Sequence, residues 1–423
     1  MRVAVVGAGI IGVTTAYELA CDGHEVTVFE RRASVAAEAS FANAGVIAPG
    51  QVMPWAAPGM PFKVMKHLLS RHAPVRFGPG TLAAAAWLWR FLRACRKDVH
   101  VANRTSMQGL AHFSREHLNG LASSLRLQFE QANGYLVLMR TPRALAQAQA
   151  GISLLRELGV TFEVVDAARC RALEPGLSPD APLHAAIHLP QDGVGNCRQF
   201  AHLMKARAQA LGARFRFGHD VHRVTPGNGV ELLFAGSEQA GEPQAEVFDA
   251  VVVCAGPQAG ALLRPIGITL PLLPVYGYSL TAPIRHIEGV RDTGPRSALM
   301  DERYKVAISR LGERIRIAGS AEIGGRPDDL RPDALRTLYK VLEDWFPGAA
   351  DLPKAQHWKG ARPMLPDGPP VLGASGAPGI WLNLGHGSSG WALSCGSARV
   401  VADLIGGRTP VIDVSRLGIE RVR

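Results

Sequence analysis

The sequence predicts an α/β protein: a Rossmann-like dinucleotide-binding domain with a second, α+β domain inserted in several segments. Three observations carry this. The chain opens on a short run of small and β-branched residues that leads straight into a G-x-G-x-x-G turn. Glycine-rich, cofactor-type sequence returns near the middle and again at the far end. Helical and β-rich stretches separate these islands, with no tandem repeat.

The opening is the most informative part. Arg2-Val-Ala-Val-Val6 reads as a buried strand, Gly7-Ala8-Gly9-Ile10-Ile11-Gly12 as the turn, and Val13 to Cys21 as a helix. A Gly23-His24 turn and a second strand, Glu25 to Glu30, follow. Gly7 allows the tight turn, Gly9 lets backbone amides approach a pyrophosphate, and Gly12 lets the helix pack closely on the strand. A pyrophosphate then sits at a helix N-terminus, where free N–H groups and the dipole favour negative charge. Glu30, at the end of the second strand, is placed to accept both hydroxyls of an adenosine ribose.

After Gly50 the prolines 54, 58, 61, 74 and 79 break a loop-rich stretch, and helical pattern runs from about Thr81 to Leu125. A strand (Tyr135 to Met139) and a helix (Pro142 to Leu158) come next. A further helix is expected from Asn196, its N-cap, to Leu211. Short strands at 214–217, 221–224, 230–234 and 246–248 read as an antiparallel meander that leads into Ala250 to Cys254 and then Ala255-Gly256. Residues 270–320 look β-rich, and Arg331 to Trp345 reads as a polar helix. The strand Ile380 to Leu384 leads into Gly385-His-Gly-Ser-Ser-Gly390 and a last helix ending near Gly406. The expected division is 1–50, 176–268 and 356–423 for the dinucleotide-binding domain, with 51–175 and 269–355 forming the substrate domain.

Composition excludes several classes. With 47% hydrophobic and 19% charged residues in 423, the composition is that of a globular enzyme rather than of a disordered or fibrous protein. No apolar run reaches the roughly 18 residues of a membrane span. Arg2 before an apolar stretch resembles a signal peptide, but the dinucleotide motif uses those residues, so no targeting segment is expected. The six cysteines lack C-x-x-C spacing, which implies reduced cytoplasmic thiols and neither a metal site nor a disulfide framework. The net charge of +10 is concentrated: residues 61–104 carry nine basic side chains against Asp98 alone, +8 in one segment. Interleaved with Trp87, Trp89 and Phe91, that segment reads either as a peripheral membrane surface or as a solvated helix packed by its aromatic side. Basic residues confined to one aromatic-rich segment argue against a nucleic-acid partner.

The first motif serves NAD and FAD alike, but the broken strand order and the return of glycine-rich loops at the far end favour FAD. Arg31 and Arg32 suit a 2′-phosphate, yet Glu30 beside them repels one. The Gly387-Ser388-Ser389-Gly390-Trp391 turn presents backbone N–H groups at a helix start, suited to negative charge building on a flavin ring. His386 reads as a loop residue with no proton-transfer role. In Trp358-Lys-Gly-Ala-Arg362-Pro-Met-Leu-Pro-Asp-Gly368, Arg362 is a planar fork suited to clamping a carboxylate. Tyr276 and Tyr278, on the β-rich insertion, are candidates for capping the substrate.

These stretches resemble the FAD-dependent D-amino acid oxidase superfamily, and within it the bacterial D-amino acid dehydrogenase small-subunit group. MRVAVVGAGIIGV, EASFANAGVIAPG, PWAAPGMPFKVMK, RHAPVR, YGYSLT, DERYKVAISR, RIRIAGSAEI, WKGARPMLPDGPPVLG and LNLGHGSSGWALSCGS carry the likeness over residues 1 to about 410. It implies a D-amino acid oxidase-like two-domain fold and oxidative deamination of D-amino acids to 2-oxo acids and ammonia. Hydride would pass from Cα to flavin N5, and electrons to the respiratory chain, by a quinone or other acceptor, rather than to oxygen. The basic segment is expected to lie against the inner face of the cytoplasmic membrane. By the same likeness Gly7, Gly9, Gly12, Glu30 and Arg31 hold the ADP half, and Ser40 and Asn43-Ala44-Gly45 lie along the flavin. Val221 meets adenine through its backbone, Gly256 closes the strand beside the cofactor, Gly387 to Trp391 meet the pyrimidine edge, and Arg362 takes the substrate carboxylate. The family's covalently tethered relatives use a cysteine that is absent from Arg362 to Asp367, so FAD is expected to be non-covalent. Val46-Ile47-Ala48 are apolar where the family pattern has a polar residue, leaving the side-chain preference open. A related amine dehydrogenase or oxidase acting on D-hydroxyproline, glycine or sarcosine is the alternative.

Overall fold

The computed structural model describes residues 1–67, 70–236, 243–286 and 292–423. Six strands form the first sheet, in the order Val371–Ala374, Ile380–Leu384, Ala250–Val253, Arg2–Val6, Glu25–Glu30, Arg214–Phe217. All neighbours are parallel except the first pair. Parallel strands need both faces covered, which is why Val3 to Val6 and Ala250 to Val253 are continuous apolar runs, all essentially inaccessible. One face packs against the helices Ile10–Cys21, Cys197–Ala210 and Gly390–Ile405, and the other against the meander His219–Gly227, Gly229–Gly236, Gln244–Phe248. Asn196 caps its helix as expected, accepting from the Gln199 N–H at 3.2 Å. Arg214–Phe217 pairs in parallel with Glu25–Glu30, so it is the outer strand of this sheet and not part of the meander.

The second sheet has ten strands. Its main path runs Gln356–Met364, Leu273–Pro283, Arg314–Ile323, Val306–Leu311, Ala298–Asp301, Gln131–Met139, Ala185–Gly195, Val46–Ile47. The helix Pro332–Trp345 lies on one face with Ala334, Leu338, Val341, Leu342 and Trp345 inward, so it is amphipathic rather than polar throughout. Strand pairing divides the chain differently from the expected boundaries. Residues 46–47, 185–195 and 356–364 belong to this sheet, while helix Lys97–Ser124 packs its Met107, Leu110, Ala111 and Leu118 into the core beside the first sheet. The physical reason is local: 185–195 lacks strict alternation and carries two glycines, so its strand character comes from its partners rather than its own pattern. The helical stretch expected from Thr81 to Leu125 is three pieces, a 3₁₀ turn Pro79–Ala84 and helices Ala85–Ala94 and Lys97–Ser124.

Candidate active site

The glycine turn is built as its spacing requires. Gly7 has φ +103°, and a Cβ there would lie 2.8 Å from the Cys254 carbonyl oxygen. A Cβ on Gly12 would lie 1.8 Å from the Gly7 carbonyl oxygen, so helix and turn touch backbone to backbone. Gly9 is the helix N-cap, offers no side-chain cap, and a Cβ on it would approach only the Ser40 hydroxyl, at 3.6 Å. Ser40 in turn accepts from the Ile10 N–H at 3.1 Å. Glu30 accepts from the N–H groups of Ala8 (2.7 Å) and Arg32 (2.8 Å), which fixes the carboxylate at the strand end. Burial nevertheless raises its pKa, those two donors opposing the shift. Arg31 and Arg32 are both paired with Glu38.

Distant segments meet this cradle. Asn43 Oδ1 accepts from the Gly45 N–H at 3.1 Å, closing the turn. The Trp391 indole is buried against Phe200 and donates to the carbonyls of Gly45 (3.2 Å) and Gly195 (3.1 Å). Trp391 therefore ties the Asn43–Gly45 segment to the last helix and leaves only its backbone for a ligand. The turn Gly387–Ser389 runs into Gly390–Ile405 without any side-chain cap, and within it the Ser389 N–H donates to the His386 carbonyl at 3.1 Å. His386 is buried, bonded to the Ser397 hydroxyl, and pulled down to about 3 by burial, so it is a neutral core group. Val221 is a buried strand residue, and Gly256 has open space where a Cβ would point.

Arg362 lies on the strand Gln356–Met364, paired antiparallel with Leu273–Pro283 in unbroken register. Opposed residues share a face, so Arg362 goes with Val275, and Gly360 with Gly277. The guanidinium lies flat on Gly277: a Cβ there would be 2.3 Å from Nη2 and 2.5 Å from Cζ. Nη1 donates to the Ser320 carbonyl at 3.0 Å, which a bulge turns inward, Ser320 having φ +59°. The Trp55 ring centre is 5.8 Å from Cζ. Burial alone pulls the Arg362 pKa down to about 10, with no carboxylate among the described residues to offset it. A desolvated guanidinium with no carboxylate partner among the described residues is suited to taking an anion.

Tyr276 and Tyr278 do not join it. Strand alternation puts them on the opposite face, with Lys359. There the Tyr278 hydroxyl donates to Glu322 at 2.6 Å and the Lys359 ammonium pairs with Glu322 at 2.8 Å, both charges almost wholly buried. The Lys359 Nζ lies 4.7 Å from the Tyr276 ring centre. This cluster supports the sheet from behind and corrects the expected capping role.

The Arg362 face is the one that meets the Asn43–Gly45 segment. Arg316 donates to the Asn43 carbonyl (3.0 Å) and to the Thr281 hydroxyl (2.9 Å), and the Ser309 hydroxyl donates to the Ala44 carbonyl (2.7 Å). Thr281 stands six residues from Val275 on one face, about 20 Å along the strand. Gly277, Ser279 and Ala318 fill the interval as a shelf of small residues, and the buried Ser279 hydroxyl has no partner among the described residues. The shelf, the uncapped turn at 387–389 and the glycine cradle fit a flat, extended dinucleotide such as FAD. Gly277, Ser279, Arg316, Trp55 and Trp358 are absent from the residues expected by sequence. The signal lay in the period-2 pattern of YGYSLT opposite WKGAR, where glycine faces glycine.

The basic segment is more deeply packed than expected. Trp87 is buried, stacked on Phe91 (5.4 Å) and donates to the Met364 carbonyl at 3.1 Å, so it cannot enter a membrane. Arg90 is tied to the Val422 carbonyl at 2.9 Å. Phe62 (76% exposed), Met65, Leu82 (89%), Trp89 and Leu92 remain at the surface, with Lys63, Lys66 and Arg93.

Residues 2–404 match the family model for FAD dependent oxidoreductases (DAO), and the chain belongs to that family. Its relatives narrow the likeness. It is 44% identical over 427 residues to a D-amino acid dehydrogenase of Cereibacter sphaeroides, covering 100% of this chain and 95% of the relative. It is 43% identical over 426 residues to a D-amino acid dehydrogenase of Bradyrhizobium diazoefficiens, covering 100% and 99%. Among solved structures, glycine oxidase from Geobacillus kaustophilus superposes with a TM-score of 0.76 at 21% identity, over 99% of this chain and 98% of that one.

Proposed function

We propose that the protein is an FAD-dependent D-amino acid dehydrogenase, converting D-amino acids to 2-oxo acids and ammonia. The observation that carries this is Arg362: a desolvated guanidinium with no carboxylate partner among the described residues, laid on a glycine beside a shelf of small residues. FAD, when bound, supplies the two-electron chemistry by accepting a hydride from the substrate α-carbon. The chain does the rest. Arg362 takes the substrate carboxylate through a bidentate pair, and the Ser320 carbonyl holds the fork in place. Carboxylate binding relieves the desolvation that burial imposes on the guanidinium, so affinity and orientation come from one contact. The substrate amine must be neutral to release electrons, so the rate rises with pH until that nitrogen loses its proton.

FAD is held without a covalent bond in this account. The thiols nearest the cradle, Cys197 and Cys254, are fully buried and pushed up to about 12, which leaves them poor nucleophiles. Electrons pass to a quinone-type acceptor, with the protein lying peripherally on the inner face of the cytoplasmic membrane. The exposed Phe62, Met65, Leu82, Trp89 and Leu92 among lysines and arginines support that placement, and among the described residues no helix is long and apolar enough to cross a membrane. The test of the reaction is anaerobic mixing of holoprotein with D- and L-amino acids. D-enantiomers are expected to bleach the flavin, and bleaching only by L-enantiomers or N-methyl amines overturns the assignment.

A further inference from the structure

We infer that Trp358 is a specificity-determining residue, its indole forming the wall against which the substrate side chain packs, and that the preferred substrates carry bulky apolar side chains. The inference rests on the reading of Arg362 as the carboxylate anchor and adds the substrate class.

Gly360 and Gly277 are directly opposed across the two strands, which places their Cα atoms about 5 Å apart. Each glycine carries a flat group on its bare face. A Cβ on Gly277 would sit within 2.3–2.6 Å of the Arg362 guanidinium. A Cβ on Gly360 would sit 1.7 Å from Trp358 Cη2 and 2.3 Å from Cζ2. Guanidinium and indole therefore lie side by side over a glycine pair, although their Cα atoms stand four residues apart on the strand. Trp55 faces the guanidinium from another segment. Both tryptophans keep part of their surface accessible, unlike the sealed Trp345, Trp87 and Trp391.

A carboxylate held on Arg362 thus has an indole as its immediate neighbour. Of the charged groups on these strands, Lys359 and Glu322 are buried against each other on the reverse face, and Arg316, on the Arg362 face, lies about 20 Å along at Thr281 and is engaged by the Asn43 carbonyl and the Thr281 hydroxyl. With no side-chain cation or carboxylate of these strands beside the anchor, among the described residues, to recognise a polar substituent, the wall rewards apolar area. Each added methylene in such a pocket is worth about 10–200-fold in discrimination. Branched and aromatic D-amino acids are favoured over D-alanine on this account.

The test uses holoprotein, wild type and Trp358→Ala, with Trp358→Phe as the variant that keeps a flat ring if alanine loosens the strand. Propionate, 4-methylpentanoate and 3-phenylpropionate are titrated while the flavin visible spectrum reports binding. In parallel, kcat/KM is measured for D-alanine, D-leucine and D-phenylalanine. Wild type is expected to bind the longer acids at least 10-fold more tightly than propionate, with the same order in kcat/KM. Trp358→Ala is expected to shrink both gradients by about 10-fold, and Trp358→Phe to retain most of them. Equal gradients in wild type and Trp358→Ala, or a wild type that prefers D-alanine, overturn the inference. If the carboxylate gradient holds but no D-amino acid reduces the flavin, the dehydrogenase reading fails and the indole wall stands.

Discussion

Replacing Gly277 with alanine puts a methyl group where the Arg362 guanidinium now lies. The added Cβ would be 2.3 Å from Nη2, 2.5 Å from Cζ and 2.6 Å from Nη1. Carbon and nitrogen tolerate about 3.5 Å, so the guanidinium must retreat by about 1 Å or more. It is the far end of a flexible side chain, so the sheet survives and the geometry of the fork changes. The Ser320 hydrogen bond, 3.0 Å long, is lost or rebuilt elsewhere. A displacement of about 1 Å at a positioning group costs about 10²-fold in rate. Gly277→Ala is therefore expected to lower kcat/KM for D-amino acids by about 10²-fold while flavin content and melting temperature stay close to wild type. Steady-state kinetics on D-leucine, normalised to bound flavin, gives the answer. Wild-type kcat/KM in Gly277→Ala refutes the claim that the guanidinium rests on this glycine when it works.

Arg362→Ala is expected to reduce kcat/KM by about 10²–10⁴, and Arg362→Lys to recover little, because an ammonium cannot form the bidentate pair. Near-wild-type turnover in either would move the carboxylate site elsewhere. Acid or heat should release FAD intact into the supernatant, and flavin retained in the protein pellet contradicts the non-covalent assignment. Glu174 accepts from the Arg296 and Ser297 N–H groups, yet burial pushes it up to about 7 from 4.5. The folded state then binds the proton more tightly than the unfolded chain, so this group's contribution to stability falls as pH rises from about 4.5 to 7 and is flat above. Thermal melts should show a shallower decline over that window in Glu174→Gln than in wild type, and parallel curves count against it. Binding to anionic vesicles should weaken in high salt and weaken again when Phe62, Leu82 and Trp89 are changed to serine. Equal binding to neutral and anionic vesicles, or no loss in the triple variant, would leave 61–104 a packed basic segment.

The dinucleotide half was legible in sequence because each of its demands is local. Gly7, Gly12 and Glu30 are specified by a turn, a close approach and a strand end within thirty residues, and each stands where its spacing put it. Arg362 is marked in the sequence by an equally local pattern, a fork before a proline in a glycine-rich stretch, and the structure lays its guanidinium on Gly277. The tyrosines were not legible. Tyr276 and Tyr278 are two residues apart and so share a face, but which face depends on pairing with a strand more than eighty residues later. The sheet membership of 185–195 and 356–364 is likewise decided by long-range partners, as is the burial of Trp87, whose indole bonds to Met364. Arg316 and Ser309 reach the cofactor-side segment through the carbonyls of Asn43 and Ala44, backbone groups that no side-chain pattern announces.

The claim that Arg362 holds the substrate carboxylate is tested most directly by comparing a D-amino acid with its uncharged D-amino acid amide in wild type and Arg362→Ala. The ratio of kcat/KM values, acid over amide, isolates the pairing of that side chain with that substrate group. A ratio of about 10² or more is expected in wild type, collapsing towards one in Arg362→Ala. A ratio unchanged by the substitution would contradict that claim.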